Sequence, residues 1–384
     1  MYKPLLFLSV AICLTASIST QADDLNFDYR INTQLFVSDQ DLEDKSLINA
    51  GNRFEIPERL YELDLRPDFS LSNDRLDFSV KPRAEFTRDK TKQPAGNTKT
   101  SRETDTFLQE WLARVKLNDE LYVSYGRENL QWGPAMFLSA SNPFFEVNGR
   151  NIPQREVGGM DYARLVWVAN DAWTGSLIVN TDDGRQEITD SDTSYAIKLD
   201  YTGQDYYFSI IPSYREGRNN ADDVAALGFF GLSNVSDALL VYLEGSLAEH
   251  DASQGLAGVS YTFEEGTNLV LEYFHQEDGC SRDLIHTCLA PGTTPTNLER
   301  TRLLREDYLF LQAARDWDQR RTNLVARLAY NLNDDSTSFI LHLNRAIGDY
   351  WNTFAVATVT GGDENTEFGS LIKSSLVAGL EFTL

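Results

Sequence analysis

Apolar and polar residues alternate along this chain with a period of two. Leu25, Phe27, Tyr29, Ile31, Thr33, Leu35 and Val37 occupy alternate positions, with Asn26, Asp28, Arg30, Asn32 and Gln34 between them. Successive side chains on an extended backbone point to opposite sides, so this pattern predicts a strand with one apolar and one polar face. The next stretch repeats it: Tyr61, Leu63, Leu65, Pro67, Phe69 and Leu71 alternate with Glu62, Asp64, Arg66, Asp68 and Ser70. Asn73-Asp74 then predicts a short turn, and Leu76, Phe78, Val80, Pro82, Ala84 and Phe86 run back against Asp77, Ser79, Lys81, Arg83 and Glu85. A long hairpin results.

The same unit recurs to the last residue. Short turns fall near Asn118-Asp119, Asn170-Asp171, Thr202 to Asp205, Asn234 to Asp237 and Glu264 to Gly266, and longer polar connections span 40–58, 89–104, 130–158, 181–193, 216–225, 248–254 and 277–305. Tight turns at one end and longer loops at the other, joining an even number of strands, describe a transmembrane barrel. Thirteen strands precede 277, and candidates at 307–316, 321–331, 336–346, 350–360 and 372–384 bring the number to eighteen. Sixteen is the alternative, if 307–316 and one further strand are lost to loops.

The charged face separates a barrel in lipid from a soluble sandwich. Arg66, Lys81, Arg83, Arg114 and Lys116 alternate with apolar residues on long strands, so their face must be wet. Nothing in the pattern supplies a second layer for the apolar face, and hydrocarbon can cover it while a watery lumen solvates the charges. The expected fold is therefore all-β, a transmembrane antiparallel barrel. Tyr125, Trp167, Trp173, Tyr201, Tyr261 and Tyr330 near strand ends fit interfacial girdles.

Composition adds an address. In residues 1–22, Lys3 precedes an apolar core from Leu5 to Leu14 and a small-residue site at Thr20-Gln21-Ala22, which predicts a secretory signal and one barrel domain over 23–384. Lipidation at Cys13 is disfavoured because Ile12 precedes it. The chain of 384 residues carries a formal charge of -24, and loss of Lys3 makes it one unit more negative, which argues against nucleic acid as a partner. The expected location is the outer membrane, reached through the periplasm. Partners there are lipid, lipopolysaccharide and the barrel-assembly machinery; oligomeric state stays open. The mature chain keeps Cys280 and Cys288, an even pair in an oxidising route, for which a disulfide is the expected role.

The most distinctive stretch is Gly126-Arg127-Glu128-Asn129-Leu130-Gln131-Trp132-Gly133-Pro134, followed by Phe137-Leu138-Ser139 and Ser141-Asn142-Pro143-Phe144-Phe145. It opens the 130–158 connection. The chain resembles general porins, in which the third outer loop folds into the lumen and its acids face basic wall residues. That resemblance implies that Glu128, Glu146 and Glu156 face Arg66, Arg83, Arg114 and Lys116, with Lys81 also on the lumen wall. The function so implied is passive diffusion of small polar or charged solutes through a constricted channel. A loop packed outside by its own Trp and Phe residues stands against this, since Gly133-Pro134 and Asn142-Pro143 are ordinary turn signals.

Trp132, Gly133, Pro134, Leu138, Ser139 and Asn142 also resemble the capsule-assembly outer-membrane family known as Wzi, although that family's doubled Trp is missing. The last strand, ending Leu380, Phe382, Leu384, resembles the terminal strand of bacterial outer-membrane barrels, which commonly ends in Phe. The capsule resemblance implies assembly or attachment of an extracellular polysaccharide, with Trp132, Phe144 and Phe145 stacking on sugar faces and Arg150 and Arg155 pairing with uronates. An enzyme is not expected. His250, His275, His286 and His342 are scattered, and Ser338 sits four residues before His342, about 13 Å away along a strand. No cofactor is implied, and acid-rich pairs such as Asp182-Asp183 and Asp222-Asp223 read as solvated loop charge rather than a metal site.

Overall fold

A computed structural model describes residues 25–384 apart from 95, 148–155, 187–190, 219–221, 283 and 290–297. The first half of the wall is built from β1 (Asn26–Leu42), β2 (Arg59–Ser72), β3 (Leu76–Lys92), β4 (Thr98–Lys116), β5 (Leu121–Glu128), β6 (Met160–Val168), β7 (Trp173–Asp182), β8 (Ser191–Thr202) and β9 (Tyr206–Gly217). The second half continues with β10 (Val224–Asn234), β11 (Leu239–Glu249), β12 (Gln254–Thr262), β13 (Thr267–Gln276), β14 (Asp307–Trp317), β15 (Thr322–Asn331), β16 (Thr337–Ile347), β17 (Trp351–Gly361) and β18 (Ile372–Thr383). Each pairs antiparallel with its sequence neighbours, and β1 pairs with β18 to close one 18-stranded sheet. The seam includes reciprocal bonds between Ile31 and Leu384, each N–H to the other's carbonyl at 2.9 Å. Eighteen is thus the count, and 307–316 belongs to the wall.

Alternation produces two chemically distinct surfaces. Leu35, Leu243 and Leu376 are 54%, 60% and 55% exposed on the outside, whereas their chain neighbours Gln34 and Glu244, at 6% and 1%, turn inward. Such an apolar belt has no protein cover and is the surface that hydrocarbon fills. Aromatic rings collect at the short-turn end of this exterior. Trp173 meets Tyr201 at 4.9 Å, Tyr201 stacks on Phe208 at 5.1 Å, and Trp351 lies 5.0 Å from Phe382.

The loop expected at 89–104 is mostly strand. β3 and β4 stay paired out to Lys92 and Thr98, leaving only 93–97 as connection. Beyond the lipid both faces of a strand are wet, so apolar alternation disappears while backbone pairing continues. Asp89 supports the extension by accepting bonds from Thr91 Oγ1 at 3.0 Å and Ser101 Oγ at 2.7 Å.

Lysine in place of Leu243 would put a charge into the hydrocarbon. Leu243→Lys is expected to lose about 2–4 kcal/mol in denaturant titrations of the barrel folded into vesicles, and Ser375→Lys, on the lumen side of β18, far less.

Candidate functional site

The interior site begins where the wall is cut short. β5 pairs only with Trp111–Lys116 of the 19-residue β4, so the chain leaves the wall at Glu128, well below the rim, and returns at Met160. Gly126 permits the close approach, because a Cβ there would lie 2.1 Å from the Trp111 carbonyl oxygen.

Residues 129–147 then turn into the lumen and are seated on the β11 to β13 wall by two buried carboxylates. Glu244 of β11 accepts Ser139 Oγ at 2.6 Å, Ser141 Oγ at 2.8 Å and Ser141 N at 3.1 Å. Glu272 of β13 accepts Met136 N at 2.6 Å, Phe137 N at 3.3 Å and the Tyr242 hydroxyl at 2.6 Å. A buried charge is tolerated only when hydrogen-bonded, and the loop supplies the donors. Gly133 is required twice over: its φ is +83°, and a Cβ would lie 2.4 Å from Glu244 Oε2. Phe137 stacks on Phe310 at 4.5 Å and Phe144 meets Tyr162 edge-on at 5.0 Å, which adds apolar burial on both sides of the polar anchors.

At its far end the segment reaches the β2–β4 wall. Arg83 donates to both oxygens of Glu156, at 2.5 and 2.7 Å, and lies 2.9 Å from Asp68. Arg66 pairs with Asp64, and Lys81 with Glu110 at 2.6 Å. Burial alone would lift the Glu156 carboxyl, but the Arg83 guanidinium outweighs it and holds the group below the ordinary carboxylate range. Gln109 Nε2 donates to the Val157 carbonyl at 2.8 Å, and Gln186 Nε2 to that of Gly158 at 2.6 Å. Between these groups lies a cavity of about 340 Å³ bounded by Glu62, Arg66, Glu85, Phe107, Glu156 and Arg185.

A second set of loops packs together at the long-loop end of the barrel. Cys280 and Cys288 are disulfide-bonded and pack with Ile48, Ile285, Leu304 and Leu371, which joins the 43–58, 277–306 and 362–371 connections. Glu367 ties them to the wall, accepting Tyr308 OH at 2.6 Å, Asn331 Nδ2 at 2.6 Å and Leu304 N at 2.9 Å.

The expected site residues separate into groups. Arg66 lines the cavity, Arg83 bonds the Glu156 that lines it, and Lys81 pairs with Glu110 instead. Arg114 and Lys116 sit at the short-turn end instead, 3.7 Å from Asp77 and 2.9 Å from Asp119, because β4 has run on toward its turn. Of the three loop acids, Glu156 alone meets the predicted bases. Glu128 ends β5 and accepts Arg164 Nη1 at 2.9 Å. Glu146 lies against the far wall, where Gln254 Nε2 donates to it at 3.0 Å.

Phe144 and Phe145 are 3% and 8% exposed, and Trp132 packs on Phe144 at 6.1 Å. In the structure Phe144 and Phe145 pack against the wall, with Trp132 partly buried beside them. Arg150 and Arg155 lie outside the described residues. Glu244 and Glu272 escaped the sequence reading, although a lone acid among inward apolar neighbours, as in Val270-Leu271-Glu272-Tyr273-Phe274, was an available signal.

No family model matches this chain, and no curated protein sequence matches it. Solved structures do. OccK5 (OpdH) of Pseudomonas aeruginosa is similar with a TM-score of 0.58 at 10% identity, over 94% of this chain and 98% of that one. OccAB3 of Acinetobacter baumannii gives 0.59 at 12%, over 94% and 99%. Wzi of Escherichia coli, described as a carbohydrate-binding barrel involved in group 1 capsule assembly, gives 0.58 at 11%, over 92% and 84%. The chain has the fold of outer-membrane porin-like barrels. At these identities the likeness is one of fold alone.

Two tests follow from the seat. Glu272→Ala removes the carboxylate that accepts Met136 N and the Tyr242 hydroxyl, at about 1–3 kcal/mol; proteolysis within 129–159 should accelerate while the barrel stays folded. Burial lifts the Glu146 carboxyl from 4.5 to about 8, against the pull of Arg300, the Gln254 hydrogen bond and Arg215 and with the push of Asp251. A raised folded value means that its contribution is complete below the unfolded value and lost as pH rises through about 8. Cleavage within 129–159 should therefore increase between pH 6 and 9, and Glu146→Gln should flatten that rise.

Proposed function

We propose that this chain is a passive channel of the outer membrane, reached by export through the periplasm, that admits small polar or charged solutes past the 129–159 segment. The short-turn end, where Asn26 and Leu384 lie, faces the periplasm; the long loops face outward toward lipopolysaccharide. The observation that carries this reading is the inward seat on Glu244 and Glu272, which leaves a charged cavity between Glu156 and the β2–β4 wall. A segment fastened across a lumen narrows it and brings fixed charges close to any solute that passes. The similarity to OccK5 and OccAB3 supports the reading at the level of fold, as it supports a non-enzymatic role. The chain would reach the membrane through the barrel-assembly machinery.

Attachment of an extracellular polysaccharide is the second reading, favoured by the likeness to Wzi. Burial of Phe144 and Phe145 weighs against it, since those rings are the sugar platform that reading needs. Recording from purified protein in a planar bilayer separates the two. A channel gives stepwise current whose size rises when 134–156 is deleted. A silent barrel that binds acidic glycan would overturn the channel reading.

A further inference from the structure

The outer face of β2, β3 and β4 changes character at the long-loop end. Along β3 the outward apolar stretch runs from Leu76 to Phe86, which are 37% and 42% exposed. Strand of that length, tilted as in a barrel wall, covers about 25 Å of height, which is the extent of a lipid-facing band. The next outward residues are Arg88, Lys90 and Lys92. They begin where the hydrocarbon ends.

Cross-strand register gathers more positive charge at this level. Arg88 stands opposite Arg102 of β4, and Lys90 opposite Arg59 of β2. Like charges placed opposite one another destabilise a sheet, and a chain with 58 acids against 34 bases has acids to spare for separating them. Asp39 of β1 answers Arg59 at 2.7 Å. Among the described residues no acid lies within ion-pair distance of Arg88, Lys90, Lys92 or Arg102. The acids of the same strands, Glu85, Asp89 and Asp105, point inward. Farther round the rim the outward pattern is the reverse, with tyrosines donating to acids: Tyr214 to Asp223 at 2.6 Å, Tyr273 to Asp307 at 2.5 Å and Tyr330 to Asp335 at 2.5 Å.

We propose that Arg59, Arg88, Lys90, Lys92 and Arg102 form a docking surface for the headgroup phosphates of a phosphorylated glycolipid in the outer leaflet, the class to which lipopolysaccharide belongs. The proposal rests on the long loops facing out of the cell, as in the channel reading. Headgroup phosphates lie just beyond the hydrocarbon, at the level of Arg88 and Arg102, and a guanidinium fork takes phosphate oxygens two at a time while the ammoniums add point charge. Acyl chains of the same molecule descend beside Tyr61, Leu63 and Phe86, so one ligand satisfies both the basic patch and the apolar wall beneath it. Bound phosphate also removes the like-charge repulsion that the register creates.

The test is titration of the refolded full barrel, in neutral-detergent micelles, with bisphosphorylated lipid A. Saturable binding is expected, and Arg88→Gln with Arg102→Gln should weaken it about tenfold or more, since bonds to charged groups are lost. Arg88→Lys with Arg102→Lys should retain most of the affinity, and Arg321→Gln at the short-turn end should leave it unchanged. Lipid A stripped of its phosphates should bind the unaltered barrel and the double Gln variant alike. Thermal unfolding supplies a second readout. Without glycolipid, Arg102→Gln relieves the like-charge pair and should unfold no earlier than the unaltered barrel; with lipid A it should unfold first. A midpoint lowered equally in both conditions would reduce Arg102 to a structural brace and overturn the proposal. Equal lipid A binding by the unaltered barrel and the double Gln variant, or binding indifferent to the phosphates, would overturn it while leaving the channel intact. So would an Arg102-dependent dimer in glycolipid-free micelles, which would give the patch to a second copy of the chain. Failure of a membrane-impermeant thiol reagent to reach Lys92→Cys on intact cells would instead overturn the outward placement of the long loops.

Discussion

Within hydrocarbon no water is present to accept a backbone N–H or donate to a carbonyl, and a strand whose edge is left unpaired carries a row of such groups. This chain meets the constraint by closure. β1 pairs on one side with β2 and on the other with β18, through to the reciprocal bonds between Ile31 and Leu384. Each other strand has two antiparallel neighbours. Antiparallel closure of an even number of strands also puts Asn26 and Leu384 at the same end of the barrel.

Closure also creates the second environment on which the function depends. Residues that alternate with the lipid-facing leucines are gathered into an interior, where Asn32, Gln34, Asp64 and Arg66 can be solvated or paired. Into this polar space the protein puts a partly apolar segment, a combination that succeeds because the inner wall is not uniform. On β6 to β14 it offers Tyr162, Ile178, Phe230, Phe274 and Phe310 to the loop's phenylalanines, with Glu244 and Glu272 set among them to receive its backbone and hydroxyl donors. On β2 to β4 the wall is almost wholly charged. The loop rests on the first wall and, through Glu156, touches the second. The same asymmetry explains why the charged cavity lies where it does.

Three levels of charge are then stacked along β2 and β3. Glu62 and the Asp64 to Asp105 row lie toward the long-loop end, the two arginines lie next, and Asp68, Lys81 and Glu110 follow toward the short turns. Arg83 divides its charge between Asp68 and Glu156, so it is best understood by the neighbours that share its field. Arg83, bonded to Glu156 and also to the carbonyls of Pro67 and Pro82 at 3.0 and 2.9 Å, is held in one orientation by all of them. It acts as a fixed post rather than a mobile counter-charge.

By itself the amino-acid sequence determined the strands, their two faces, the alternation of short and long connections and the pair of cysteines, because each is a local property of spacing or composition. It was silent where both faces of a strand are wet, so the outer halves of β3 and β4 read as loop until backbone pairing showed otherwise. The tertiary structure alone decided which acid meets Arg83, since Glu128, Glu146 and Glu156 are equivalent as letters and differ only in where the loop carries them. It also decided that Asp64, Glu85 and Asp105 form one row. That depends on cross-strand register and on the bulge beside Pro82, and register is a relation between strands rather than a property of any one of them. The seat of the loop has the same origin: Met136 and Glu272 are 136 positions apart in the chain, and only barrel closure places them 2.6 Å from one another.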